Sequence, residues 1–217
     1  TQTLFAVINR PPAVAELSTD GQLLRLMPVD GADDPEGIAH IDGHLFAIAD
    51  ERRNRIHWVE IGPEHQRVSL RDTQALWLGK PRIRNFALEG LGWDAQRQQL
   101  LAVTEKWPLQ VLAMDAVPGQ KKAALAEVAI QRWASAPASG VPTTDLASID
   151  VDPRTGNLLL LGEESSVLYE YTRAGEPVGM LPLWAGMQGL EKTIPQPEGV
   201  AVDPAGRVFV VSEPNLF

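Results

Sequence analysis

Five gapless segments of this chain share one pattern, and that pattern constrains the fold more than any other feature. They are LFAVIN ending at Asn9, LFAIAD at Asp50, LLAVTE at Glu105, LLLLGE at Glu163 and VFVVSE at Glu213. Each is a run of four apolar residues, one small or hydrophobic residue, and then an acid or its amide. The intervals are 41, 55, 58 and 50 residues, 51 on average. A short apolar run bounded by turn signals reads as a strand buried on both faces.

A second element precedes four of the copies: PEGIAHIDG, LEGLGWDAQ, LASIDVDPRTG and PEGVAVDPAG. Each ends in an Asp-led turn, at Asp42-Gly43, Asp94-Ala95, Asp152-Pro153-Arg154-Thr155-Gly156 and Asp203-Pro204-Ala205-Gly206. Asp bonds its own backbone there and Gly accepts positive φ, so these are hairpin turns. Half-apolar third strands follow in PAVAELS, RIHWVEI, PLQVLAM and SVLYEYT, and turns at Thr19-Asp20-Gly21 and Arg173-Ala174-Gly175 announce fourth strands. A helix is a candidate only near residues 119–128.

Radial repetition of four-stranded antiparallel sheets is a β-propeller. A sandwich of unrelated hairpins would not repeat the same acid at the end of the same strand. The expectation is one all-β domain over 1–217, a five-bladed β-propeller closed by strands from both termini. Its repeats run roughly 1–33, 34–84, 85–141, 142–193 and 194–217. The first copy begins at its second strand and the last stops early in its third.

Composition narrows the partners. The chain has 217 residues, 28 Asp plus Glu against 19 Lys plus Arg, a net charge of −9 and no cysteine. The acidic balance argues against nucleic acid, whose binding rests on cationic contacts to phosphate. Without cysteine there are no disulfides, thiolate zinc sites or cysteine nucleophiles. No apolar run reaches the roughly 18 residues of a membrane span. Residues 1–15 lack a basic region followed by an apolar one, so no signal peptide is read there.

In a propeller blade the start of strand one and the end of strand two share a face. Glu36, Glu89 and Glu198 start first strands; the fourth copy has Ala147 there, with Asp145 two residues earlier. Asn9, Asp50, Glu105, Glu163 and Glu213 end second strands. The periodicity therefore predicts two concentric acidic rings at one channel mouth. Two like charges roughly 5 Å apart cost about 3 kcal/mol at an effective dielectric near 20. Raised carboxylate pKa values, basic neighbours such as Arg10, Arg52 and Lys106, or a bound cation would each relieve this. Carboxylates with one amide suit Ca²⁺ better than Mg²⁺, which keeps more of its water. A purely structural role, with each Glu accepting backbone N–H groups of the next blade, is the competing reading.

The stretch PEGVAVDPAGRVFVVSEPNLF, above all Glu198-Gly199 and Ser212-Glu213-Pro214-Asn215, resembles the SdiA-regulated (YjiK-like) family of bacterial envelope β-propellers. LFAVINRPPAVAELSTDGQLLR, IADERRNRIHWVEI, FALEGLGWD with VTEKWP, and LLLLGEESSVLYEYT extend the resemblance over essentially the whole chain. It implies an extracytoplasmic protein of the periplasm or cell envelope, anchored to membrane only through a segment absent from this chain. The chain looks like the soluble propeller with its targeting segment and some closing strands removed. More distantly, Glu-Gly strand starts resemble calcium-dependent lactonase, phosphotriesterase and phytase propellers, which hold one Ca²⁺ in the channel. The sequence departs from those hydrolases in having Asn9 as its only clear channel asparagine.

No HExxH, G-x-S-x-G, P-loop or G-x-G-x-x-G pattern is present. His40 alternates with Glu36 and Ile38 and is the one candidate base; Ser148 has no evident His partner. Trp58 and Trp93 read as core, and Trp107 as a rim residue beside Glu105. The Arg52-Arg53-Asn54-Arg55 and Lys80-Pro81-Arg82-Ile83-Arg84 clusters read as solvated turns. The expectation is an envelope binding or interaction domain with a Ca²⁺ site at the mouth, taking an unknown small molecule or protein at the channel face. The alternatives are a metal-dependent lactonase- or phosphoesterase-like hydrolase and a metal-free docking scaffold.

Overall fold

A computed structural model of the chain describes residues 3–78, 88–106, 108–115, 118, 125–131 and 141–213. The protein is an all-β propeller with four four-stranded sheets and a fifth sheet of two strands. The first sheet holds β1 (Leu4–Asn9), β2 (Pro12–Leu17) and β3 (Leu23–Asp30), with β7 (Val68–Ser69) at its outer edge. The second is β4 (Pro35–Asp42), β5 (Leu45–Asp50), β6 (Arg55–Glu60) and β8 (Ala75–Trp77). The third runs β9 (Leu88–Asp94), β10 (Gln99–Thr104), β11 (Val111–Met114) and β12 (Leu125–Val128). The fourth is β13 (Ser148–Val151), β14 (Leu158–Gly162), β15 (Val167–Tyr171) and β16 (Pro177–Pro182). The last is β17 (Pro197–Val202) paired with β18 (Val208–Ser212).

The five acid-ending runs are β1, β5, β10, β14 and β18, the second strand of each blade. Their apolar residues pack into cores that lie between neighbouring blades. Val14, Met27 and Val29 meet Phe46, Ile48 and Val59 between the first two. Ala47, Ile56 and Leu76 meet Leu91, Leu100 and Leu112 between the next two. Leu101, Val103 and Val111 meet Ile149, Leu158 and Tyr169 after that. Leu159, Leu161 and Leu168 meet Val200, Val202 and Val210 last. Strands with both faces in such cores must be continuously apolar, which is why the runs are legible.

The Asp-led turns form as their chemistry requires. Asp203 Oδ1 accepts from the N–H groups of Ala205 (2.9 Å) and Arg207 (2.8 Å), and Asp152 Oδ1 from that of Arg154 at 2.9 Å. Asp94 goes further: it is fully buried, accepts from Arg97 N at 3.0 Å, and pairs with Arg173 Nε of the next blade at 3.3 Å.

Two features differ from the sequence expectation. Residues 125–128, inside the helix candidate, form β12 on the buried strand β11, so sheet pairing overrides local propensity; 119–124 lie outside the described residues. Strand β7 belongs to the second repeat yet pairs in parallel with β3 of the first blade, through Val29↔Val68 and Asp30↔Ser69. Val68 and Leu70 fill the first inter-blade core, which holds the segment there.

The first and last sheets are both left with an open edge. In the other blades the acid-ending strand lies between two neighbours. Among the described residues, β1 pairs only with β2, and β18 only with β17. Accordingly every residue of β1 is half-buried, whereas β5, β10 and β14 are buried after at most one residue. No apolar core among the described residues joins β17–β18 to β1–β3. The wedge between them opens into the channel.

Candidate functional site

The channel mouth and the wedge form one cavity of about 700 Å³. One end is acidic: Glu36, Glu89, Glu105, Glu163, Glu198 and Glu213 all line it, with Asn9 and Asp145. The other end is apolar, with Leu4, Ala6, Ile8 and Leu17 of the first blade near Ala201, Phe209 and Val211 of the last. Of the eight residues the periodicity selects, seven therefore share this cavity. Asp50 does not. It is fully buried, accepts N–H bonds from Asp33 (3.2 Å) and Arg53 (3.4 Å), and faces the Arg53 guanidinium at 3.7 Å. It is a loop anchor.

The inner glutamates owe their position to irregularities in the strands. Between Pro35 and Gly37, and again between Pro197 and Gly199, the inner strand carries one residue more than its partner. The extra residues are Glu36 and Glu198. The register shifts likewise across Glu89, between the pairs Thr104↔Leu88 and Ala102↔Leu91. A bulge of this kind re-aims a side chain that a regular strand would point elsewhere. The glycine after each Glu follows from close packing: a Cβ on Gly90 would stand 2.6 Å from Ser148 Cα, and one on Gly37 2.7 Å from the Glu89 carbonyl oxygen.

Electrostatically the mouth carries strain that its neighbours only partly relieve. Burial, then the charges of Glu36, Glu105, Glu51 and Glu198, push Glu89 up to about 9. Burial likewise raises Glu36 to about 7, against the hydrogen bond that Asn9 Nδ2 donates to it at 3.3 Å. Glu198 rises to about 7, through burial and then the charges of Glu163 and Glu213. Among the described residues, basic relief comes from Lys106, which pairs with Glu105 at 3.0 Å and Glu164 at 3.4 Å, and from Arg10 near Asp34.

The tightest grouping is one the periodicity does not select as a set. Asp34, Glu36 and Glu51 each offer a carboxylate oxygen, and these lie within 4.8 Å of one another. Asp34 comes from the turn before β4 and Glu51 from the turn after β5, joined by the Glu51 N–H to Asp34 carbonyl bond at 3.0 Å. Burial, then Asp34, raises the pKa of Glu51. Asp34 Oδ1 is enclosed without a hydrogen-bond donor; among the described residues its one ion-pair partner is the largely exposed Arg10 at 3.8 Å. An orphaned acceptor among three acids is the donor set a hard cation satisfies. The readable signal is acidic doubling, Asp33-Asp34 before Pro35-Glu36 and Asp50-Glu51 after the strand.

Other candidates fall elsewhere. His40 is exposed, its Nε2 lies 3.0 Å from the Gly43 carbonyl, and it does not line the acidic cavity. It stands four positions along the strand from Glu36, roughly 13 Å at 3.3 Å per residue. Ser148 Oγ accepts from Val200 N at 3.2 Å, a tie between inner strands. Asp145 is buried and accepts from the N–H groups of Glu163 (2.7 Å) and Glu164 (3.2 Å). Trp58 is core and Trp93 packs half-buried beside it. Trp107, residues 80–84 and Pro214-Asn215 lie outside the described residues.

A radial array of four-stranded sheets around an acidic channel defines a β-propeller. The chain belongs to the SdiA-regulated family, whose model it matches over residues 1–217. Among solved structures it is similar to the glutaminyl cyclase of Myxococcus xanthus, with a TM-score of 0.63, 17% identity, and coverage of 98% of this chain and 82% of that one. It is also similar to virginiamycin B lyase from Staphylococcus aureus, at a TM-score of 0.53, 11% identity, and 97% and 59% coverage. A Bacteroides caccae protein of unknown function gives a TM-score of 0.51, 13% identity, and 97% and 64% coverage. The chain thus spans less than two thirds of the last two. At such identities the likeness carries the fold alone.

Proposed function

We propose that this propeller is a binding domain of the cell envelope that holds a Ca²⁺ at its acidic mouth. The observation that carries this is the Asp34, Glu36 and Glu51 triad, three carboxylate oxygens within 4.8 Å, with Asp34 Oδ1 lacking a donor. Asn9 Oδ1 and water would complete the six to eight oxygens Ca²⁺ takes. The cation would offset the repulsion among Glu36, Glu51 and Glu89 and present an open position toward the cavity. The envelope assignment rests on the family resemblance, and separating periplasm from cytoplasm with an antibody to the native protein tests it.

The fold reading extends in the same way. A fifth blade is completed when strands occupy the open edges of β1 and β18, and the apolar wedge supports that closure. The same wedge favours the docking reading, in which an extended apolar segment pairs with β1. The hydrolase reading has less support, because His40 lies away from the acids. A base would have to come from the carboxylates themselves.

Thermal unfolding of EDTA-treated protein with Ca²⁺, Mg²⁺ or Zn²⁺ tests the metal. Native-state binding at 100 Kd adds about 2.7 kcal/mol of stability. The expected result is a saturable rise with Ca²⁺ that Glu36→Gln abolishes. No shift with any ion overturns the metal reading and leaves the docking one.

A further inference from the structure

The inner strands follow one another closely around the channel. Strand β4 lies against β9, β9 against β13, and β13 against β17. The glycine after each bulged glutamate admits the backbone of the next blade. A Cβ on Gly37 would stand 2.7 Å from the Glu89 carbonyl oxygen and 2.9 Å from Leu91 N, and one on Gly90 2.6 Å from Ser148 Cα. Gly199 holds the same place in β17, but no neighbouring blade explains it. Among the described residues, the one atom within 4 Å of a Cβ on Gly199 is Val211 Cγ2, in its own blade. The side of Gly199 that would admit a backbone lines the wedge.

The opposite wall of the wedge adds an independent observation. Among the described residues β1 pairs only with β2, so its inner edge presents unpaired N–H and C=O groups, which another strand satisfies. Three features thus converge on one space: a strand edge, a glycine flat enough for a backbone to lie against, and apolar walls. Leu4, Ala6 and Ile8 form one wall, and Ala201, Phe209 and Val211 the other. A lipid tail or a small apolar ligand would use the walls alone. An extended polypeptide uses all three.

We propose that this space takes a fifth inner strand, a segment of the same polypeptide of the Glu-Gly kind, running antiparallel to β1 from the mouth with its glycine against β4. This rests on the closure reading above and names the strand that performs it. The direction follows from β4, β9, β13 and β17, each antiparallel to the second strand of its blade. The glycine follows from the approach: the segment meets β4 as β4 meets β9, where a side chain would strike backbone. Its glutamate falls between Glu198 and Glu36, a further acid for the inner ring. A tethered segment also acts at an effective concentration that a free partner lacks.

A synthetic peptide with the sequence of Pro197–Asp203, PEGVAVD, capped at both ends and added to the 217-residue chain, tests this. Titration calorimetry should show saturable binding, and hydrogen exchange should slow at the amides of β1 while those of β5, β10 and β14 stay as they are. A peptide with Val in place of its glycine should bind at least tenfold more weakly, the order of one overpacked side chain. Gly199→Val in the protein should weaken binding likewise; the peptide change leaves the protein untouched and decides the matter if that variant does not fold. Protein isolated from its native cell should have β1 already protected and take up no peptide. Uptake there as strong as in the 217-residue chain assigns the space to a partner's strand and overturns the proposal. A dimer of the chain that the peptide dissociates assigns it to a second copy and also overturns it. Protection of β1 in the native protein, with equal binding of the Gly and Val peptides, leaves the closure reading standing and overturns the strand type. An unprotected β1 in the native protein overturns both.

Discussion

At the scale of single residues, the acids of this protein divide into those that hold the fold and those that oppose it. Asp50, Asp94 and Asp145 are buried and fully engaged by backbone N–H groups or arginine. Asp94→Ala strands Arg173 and Arg97 without their shared partner and should cost about 3 kcal/mol, read as a lower urea midpoint at unchanged slope. Glu89 behaves oppositely. Its folded pKa of about 9 lies well above the ordinary glutamate value of 4.5. Its protonated form therefore favours folding at low pH, and ionisation penalises the fold progressively as pH rises from 4.5 toward 9. Glu89→Gln should leave stability unchanged at pH 4 and raise it by about 1–2 kcal/mol at pH 8 without cation, allowing for solvent at the mouth. Equal stability of both proteins at pH 8 in EDTA would show that Glu89 is well solvated. Nothing in the local sequence separates these two kinds of acid: Asp50 and Glu51 are adjacent, and only burial makes one a loop anchor and the other a member of the acidic triad.

At the scale of elements, the Glu-Gly pair is one device in two parts. The bulge turns the glutamate into the mouth, and the glycine lets the next inner strand approach its backbone. A Cβ at Gly90 meets Ser148 Cα at 2.6 Å, and backbone cannot swing aside as a flexible side chain would. Gly90→Ala should therefore cost about 1–3 kcal/mol through displaced inner strands, seen as a lower melting temperature. The Pro-Glu-Gly and Leu-Glu-Gly tripeptides were legible as strand starts. Their bulges were not, because register is a property of two strands and the sequence shows one at a time. The same holds for β7, whose partner belongs to the preceding blade.

At the scale of the whole molecule, the paired quantities are charge at the mouth and closure of the ring. Glu36, Glu89 and Glu198 all have raised pKa values, of about 7, 9 and 7. The cation-free protein should accordingly lose thermal stability as pH rises from near 4.5 to 9, and Ca²⁺ should restore it. Because Ca²⁺ binds carboxylates and not carboxylic acids, its binding near pH 7 should release protons. Titration calorimetry in two buffers of different ionisation enthalpy counts them. A flat stability profile without cation would mean the ring titrates as ordinary carboxylates. Closure has its own readout. With one edge open, amides of β1 should exchange with solvent faster than those of β5, β10 and β14, which lie between two strands. Uniform protection would show that β1 is covered.

The sequence alone determined the repeat, the second strands with their terminal acids, the hairpin turns and the face on which the acids collect. Each of these is local or periodic: an apolar run long enough for one strand, an Asp that bonds its own turn, a spacing near 51 residues. The tertiary structure decided what depends on residues distant in the chain. It buried Asp50 and left Glu51 half-buried, and it set carboxylate oxygens of Asp34, Glu36 and Glu51 within 4.8 Å of one another. It also turned an apparently solvated arginine cluster into the wall of a recess, by bringing His57, Arg71 and Thr73 to it. The physical reason is that charge, burial and hydrogen-bond satisfaction are properties of a neighbourhood, and packing between blades creates the neighbourhoods.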